Sequence, residues 1–167
     1  MKKVDTLAAH SLLSIARQRE GFDADCCRLV LEHMDTTNAL QAAVHKTLGH
    51  YQLSDLQFAV LMVLFTLDPE PLGAAELAIH TGVSRSAMTE ALDHLEGREL
   101  VSRTRDNGDR RIISVRLLAA GRTLIEPATL HLLRTLTGIT RFVTPEARDH
   151  LRGGYALLQE GSAGFQT

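Results

Sequence analysis

Apolar positions recur along the chain at the three- and four-residue steps of helices, and glycine, proline and capping residues cut that pattern into segments. Thr6 to Arg19 carries Leu7, Leu12 and Ile15 at near-helical spacing before Gly21, which predicts a short first helix. Asp23 is placed to cap a second, long helix, one face of which runs Cys27, Val30, Met34, Thr37, Gln41, Val44, Leu48. Thr37 and Gln41 are the polar interruptions on that face. Ser54-Asp55-Leu56-Gln57 is a capping box, with Leu53 and Phe58 at the two positions of a hydrophobic staple, so a third helix starts at Ser54. Asp68-Pro69-Glu70-Pro71 ends it.

A short amphipathic helix from Gly73 to Thr81 follows, built on Leu77 and Ala78, and Gly82 breaks it. Ser84 can cap the next helix, which runs to about Gly97. Val101 to Arg105 and Ile112 to Leu117 are β-prone runs separated by Asp106-Asn107-Gly108-Asp109, whose residues suit a hairpin turn. Beyond Gly121, Leu124, Ala128, Leu132 and Leu136 return to helical spacing. Thr144-Pro145 opens a last helix marked by Ala147, Leu151, Tyr155 and Leu158. Helix, helix, tight turn, helix, hairpin is the order of a winged helix-turn-helix. The expected fold is mainly α with a small β wing. Residues 54–122 would form the winged lobe, while the helices of 1–53 and 123–167 would form a dimerisation body, because apolar faces at both chain ends cannot all be buried in one small lobe.

Composition agrees. Of 167 residues, 44% are hydrophobic and 23% charged, the profile of a folded domain, and 4% aromatic residues with no Trp favour helices over a sheet sandwich. The longest apolar run, Phe58 to Phe65, is far short of the ~20 residues that span a membrane, so a cytoplasmic protein without a membrane partner is expected. Cys26 and Cys27 are adjacent and cannot staple distant parts of a fold.

Charge is unevenly spread. The total is −2, yet residues 98–122 hold seven Arg against Glu99, Asp106 and Asp109, a local +4 beside −6 for the rest. A cationic wing on an acidic body points to an anionic partner, and contacts to a duplex are local enough that the global sign does not forbid one. On the Ser84 to Gly97 helix, Met88, Ala91, Leu92 and Leu95 form the inward stripe. The opposite face carries Arg85, Ser86, Thr89, Glu90 and Asp93. Short hydroxyls and an arginine near the N-terminus suit a major groove, although such a face is equally that of an ordinary solvated helix.

Leu77-Ala78, Gly82-Val83-Ser84-Arg85-Ser86, Leu95-Glu96, Leu100-Val101-Ser102-Arg103 and above all Asp106-Asn107-Gly108-Asp109-Arg110-Arg111, followed by Val115, Leu117 and Gly121, resemble the MarR (multiple antibiotic resistance regulator) family. The resemblance is continuous from about Leu53 to Gly121. It implies a homodimeric regulator, usually a repressor, that binds palindromic double-stranded operator DNA and releases it when a small, often aromatic, effector binds. Carried over, the wing-tip arginine of the minor groove falls on Arg111 and the acidic residue orienting it on Asp109. A guanidinium on a hairpin tip can reach a narrow, strongly negative groove. Arg103, Arg105 and Arg110 would add to the wing's charge, and Ser84, Arg85, Ser86 and Thr89 would meet the major groove. The sequence departs from the family in Glu90, where relatives often carry a basic residue, in Leu118, where they have a capping Thr, and in Glu99, where Gly is common.

An effector would lie beneath the long helix near Met34, Thr37, Gln41 and Phe58, where polar groups on a greasy face can orient a ligand. Cys26 and Cys27 suggest an alternative, a redox-sensing regulator, because a thiol in the first helical turn gains from the helix dipole, although Asp23 and Asp25 act against it. None of the eight histidines makes a metal-ligating pair at helical spacing, so no cofactor or metal is expected. There is no phosphate loop, nucleophile elbow or carboxylate pair to support an enzyme. A second class remains open, a noncatalytic module whose winged helix binds protein.

Overall fold

The computed structural model describes residues 3–105 and 113–165. A 3-10 turn, Lys3–Asp5, leads into α1, Leu7–Gln18, capped by the Thr6 side chain on the Ala9 amide. The long helix α2, Ala24–Gly49, starts where Asp23 accepts from the amides of Asp25 and Cys26. The Ser54 capping box forms in full and opens α3, Asp55–Leu67. β1, Leu72–Gly73, is followed by α4, Ala74–Thr81, then α5, Arg85–Gly97, capped by Ser84. The wing strands are β2, Val101–Arg105, and β3, Ile113–Leu117; the first residue of the predicted second strand, Ile112, and the turn before it lie outside the described residues. α6, Ala119–Ile139, and α7, Pro145–Ala163, complete the chain. This is the expected mainly helical, winged arrangement.

The sequence pattern missed one element. β1 is two residues long and joins the hairpin as a third antiparallel strand in the order β1-β3-β2, with Leu72 opposite Val115. Two residues carry no detectable alternation, so only the pairing partner, more than forty positions away, reveals the strand.

Backbone contacts divide the chain into two units, Met1–Leu132 and Leu133–Thr167, with α6 running from one into the other. In the first unit, Leu48 of α2, Leu61 and Leu64 of α3, Leu77 of α4, Met88, Leu92 and Leu95 of α5, Val101 and Val115 of the wing and Ile125 of α6 share one buried core. The second unit holds α7, none of whose residues is buried.

Two backbone features decide how the helix-turn-helix and the wing join. Gly82 ends α4 at φ +69°, and its amide bonds back to the carbonyls of Ala78 and Ile79, which turns the chain into α5 within three residues. Gly121, in the first turn of α6, passes so close to the wing that a Cβ there would sit 2.3 Å from the Leu100 carbonyl oxygen and 2.7 Å from Leu117. That carbonyl accepts from the Leu118 amide, so α6 is pressed onto the base of the hairpin.

Glu99 turns the chain from α5 into β2 at φ +56°, a left-handed conformation that costs a side-chain-bearing residue about 1–2 kcal/mol. Its side chain is exposed, so nothing evident offsets that strain. Glu99→Gly is expected to raise stability by about 0.5–1 kcal/mol, the relieved strain less the added unfolded-state entropy. Gly121→Ala should lower it by about 3 kcal/mol through overpacking. Urea unfolding of both variants measures the pair, and opposite signs are the expected result.

Candidate nucleic-acid interface

α5 is amphipathic in the sense the sequence implies. Met88, Ala91, Leu92 and Leu95 are buried, while Arg85, Ser86, Thr89, Glu90 and Asp93 are exposed. The N-terminal turn is ordered by hydroxyls. Ser84 Oγ accepts from the Ala87 amide at 3.3 Å and lies 3.0 Å from Ser86 Oγ. Thr89 Oγ1 donates to the Arg85 carbonyl at 2.9 Å, leaving its lone pairs to accept from elsewhere. Four of the expected DNA-contacting residues, Ser84, Arg85, Ser86 and Thr89, therefore lie together on one exposed surface. Beside it, Ala75, Ala78, Ile79, Gly82, Val83, Ser84 and Arg85 line an open groove of about 410 Å³.

The wing's basic residues divide. Arg103 points at α5: Nε and Nη2 donate to Glu96 Oε2 at 2.8 and 2.5 Å, Nη1 pairs with Asp93 Oδ1 at 2.7 Å, and the Arg103 amide donates to Glu96 Oε1 at 3.1 Å. This fork fastens the edge of β2 to the last two turns of α5. Asp93 and Glu96 put two negative charges on α5, and Arg103 offsets one of them while bonding to both. Arg105 lies in β2, its backbone opposite Ile113. Asp109, Arg110 and Arg111, which carry the family's wing signature, lie outside the described residues.

Two further arginines act as braces that the sequence did not single out. Arg98, at the C-cap of α5, donates from Nη1 to the Gln52 carbonyl at 2.6 Å and from Nη2 to the Tyr51 carbonyl at 3.2 Å, a planar fork across two consecutive carbonyls of the α2–α3 turn. Tyr51 continues the contact, its hydroxyl donating to the Pro127 carbonyl of α6 at 3.1 Å. Arg122 pairs with Asp68 and stacks over Phe65. Neither role could be found from spacing, because the partners are 46 to 57 residues away in sequence, and those of Arg98 are backbone carbonyls. Arg116 of β3, by contrast, is exposed.

The other sequence-derived candidates are not brought together. Met34 and Gln41 of α2 are exposed, Thr37 is half-buried, and Phe58 packs against the core from α3. None of the four lines the groove beside α4, the cleft at Glu96, Arg103, Thr104 and Ile113, or the groove formed by His45, Leu53, Ser54, Asp55 and Leu56. Cys26 is exposed and Cys27 half-buried, and both are free thiols. Cys26 Sγ donates to Asp23 Oδ2 at 3.2 Å, and this bond to a carboxylate pushes the thiol pKa up, against thiolate formation. No cluster of three or more metal-ligating groups occurs among the described residues, and no helix there is long and apolar enough to cross a membrane.

The Arg103 hydrogen bonds hold the Glu96 carboxyl below its ordinary 4.5. A carboxylate whose folded pKa is depressed stabilises the fold above its unfolded value and ceases to do so as pH falls through its folded value. At neutral pH the parent should therefore be more stable than Glu96→Gln by about 1 kcal/mol or less, since Glu96 is over one-third exposed. Thermal unfolding from pH 7 to pH 3 should show this difference vanish below the ordinary carboxylate range. A difference that persisted undiminished at pH 3 would mean that the bridge does not hold wing to helix.

Known proteins share this arrangement. The pattern of the MarR family matches residues 53–113. The HTH-type transcriptional repressor YetL of Bacillus subtilis is 30% identical over 104 residues, 62% of each chain. The HTH-type transcriptional repressor NicR of Pseudomonas putida is 36% identical over 75 residues, 45% of this chain and 46% of that protein. The matched segments thus span about half to three fifths of these curated relatives. Among solved structures, the transcriptional repressor CouR bound to a 23-mer DNA duplex superposes with a TM-score of 0.64 at 28% identity, covering 78% of this chain and 92% of that one.

Proposed function

We propose that this chain, whose residues 53–113 match the MarR family of winged helix-turn-helix transcriptional regulators, represses transcription by binding palindromic duplex DNA as a homodimer and is released by a small effector. The observation that carries the reading is the polar outer face of α5 set beside a cationic wing. Ser84, Arg85, Ser86 and Thr89 are exposed together on α5, and the arginines of residues 98–122 that do not brace the fold supply the attraction to phosphate. Repression is what the names of YetL, NicR and CouR report of those proteins. In the proposed complex α5 enters the major groove and Arg111 reaches the minor groove, with Asp109 orienting it and Arg105 and Arg110 nearby. Arg103 acts by holding the wing against α5. The effector's proposed seat remains near Met34, Thr37 and Gln41 of α2 and Phe58 of α3, residues that line none of the grooves described above.

Arg111→Ala should weaken duplex binding by about 1–3 kcal/mol and lower the magnitude of the log-affinity against log-salt slope by roughly one unit, the loss of one cation contact. Arg134→Ala on α6 should change neither. Titrations at several salt concentrations give both quantities. An Arg111→Ala protein indistinguishable from the parent would favour a winged helix that binds protein instead.

A homodimer is supported by the apolar surface outside the winged lobe. Leu7, Leu12 and Ile15 of α1 are each more than half exposed, as are Leu130 and Leu133 of α6 and Leu157 of α7. Side chains of this kind carry a hydrophobic gain of about 1.5–3 kcal/mol apiece when covered. Sedimentation equilibrium should find a dimer at micromolar concentration, and a monomer at high concentration would end that part of the proposal.

A further inference from the structure

We propose that Glu90 is a specificity-determining residue that selects cytosine in the operator by accepting a hydrogen bond from the base's 4-amino group. The inference rests on the duplex-binding reading above and adds to it the base that one side chain reads. Successive residues of α5 turn by about 100°, so the buried stripe of Met88, Ala91, Leu92 and Leu95 fixes the line farthest from the core. Ser86 and Glu90, one turn apart, flank that line in the half of the helix nearer its N-terminus, the part that meets base edges in helix-turn-helix proteins.

Glu90 differs from its acidic neighbours. Asp93 and Glu96 lean toward the wing and bind Arg103, whereas Glu90 is exposed and makes no ion pair or hydrogen bond with a described residue. Of the carboxylates on the outer face of α5, Asp93 and Glu96 are thus held by Arg103, and Glu90 is the one without a partner among the described residues.

The chemistry of the groove narrows what that carboxylate can meet. Ionised, it accepts hydrogen bonds and donates none, and every phosphate repels it. The major groove offers two amino donors, adenine N6 and cytosine N4. Adenine N6 lies between two acceptors, its own N7 and the thymine O4 of the pair, and both repel an anion. Cytosine N4 has an acceptor on one side only, the guanine O6, and a C–H edge on the other. Glu90 thus discriminates in two ways, rewarding cytosine and disfavouring other bases, at the cost of weaker attraction to DNA in general.

The experiment is selection from a library of duplexes with a random 20-bp core by the full-length parent, Glu90→Ala and Glu90→Gln, followed by titration of the selected duplexes and their single-base variants. The parent should show a cytosine preference at one position in each half-site. Glu90→Ala should lose about tenfold of the discrimination at that position alone. In Glu90→Gln the same position should move toward adenine, because an amide can donate to N7 and accept from N6. Both variants should hold unselected duplex as well as the parent or more tightly, with unchanged thermal unfolding, since Glu90 is on the surface. Identical selected sequences for all three proteins would overturn the assignment while leaving duplex binding intact. A parent that retained no duplex at low salt would overturn both.

Discussion

Everything outward on α5 depends on what that helix buries. Met88, Leu92 and Leu95 are at most 1% exposed, and they share their core with α3, α4, both wing strands and the start of α6. Full burial of such side chains contributes about 1.5–3 kcal/mol each, against about 0–1 kcal/mol for a partly exposed ion pair. Hydrophobic packing therefore sets which face of α5 is presented, and the charged contacts trim its orientation. Gly121 belongs to the same constraint. By letting α6 approach the Leu100 carbonyl, it holds the base of the hairpin on that core.

Within this frame the arginines have two kinds of work. Arg98, Arg103 and Arg122 bind groups of the protein: turn carbonyls, the Glu96 and Asp93 carboxylates, and Asp68 with the Phe65 ring. They fix α5, β2 and the start of α6 against neighbouring elements. In the proposed complex, charge directed at DNA would fall to the remaining arginines of the region, of which Arg116 is exposed on β3. A count of basic residues overstates the charge a duplex would meet, because Arg103 is taken up by Asp93 and Glu96, and a count of acidic residues on α5 overstates the repulsion, because one of their two charges is offset.

A second chain of contacts, through Arg98 and Tyr51, ties the end of α2 to α5 and α6. Tyr51 touches α5 through Arg98 and α6 through the Pro127 carbonyl, and the His131 ring lies 5.9 Å from the Tyr51 ring and 5.5 Å from that of His50. A displacement of α2 at its C-terminal end would thus act on α5 through a short chain of hydrogen bonds. The face of α2 proposed for the effector lies two to four turns earlier along the same helix.

What was legible in the sequence was local. Caps at Asp23, Ser54, Ser84 and Thr144, the break at Gly82 and the buried stripe of α5 follow from groups within about four residues of one another, where helical geometry alone decides which side chains meet. The order of helices and strands, and so the winged helix-turn-helix, followed from those signals. Tertiary structure decided whatever depends on partners distant in the chain. It made Leu72-Gly73 a strand, placed the Leu100 carbonyl over Gly121, turned Arg98 and Arg103 inward and left Glu90 without a partner among the described residues. A side chain's charge is written in the sequence, but whether it faces a partner within the fold or a partner outside is settled only when the core closes and brings remote elements within hydrogen-bonding distance.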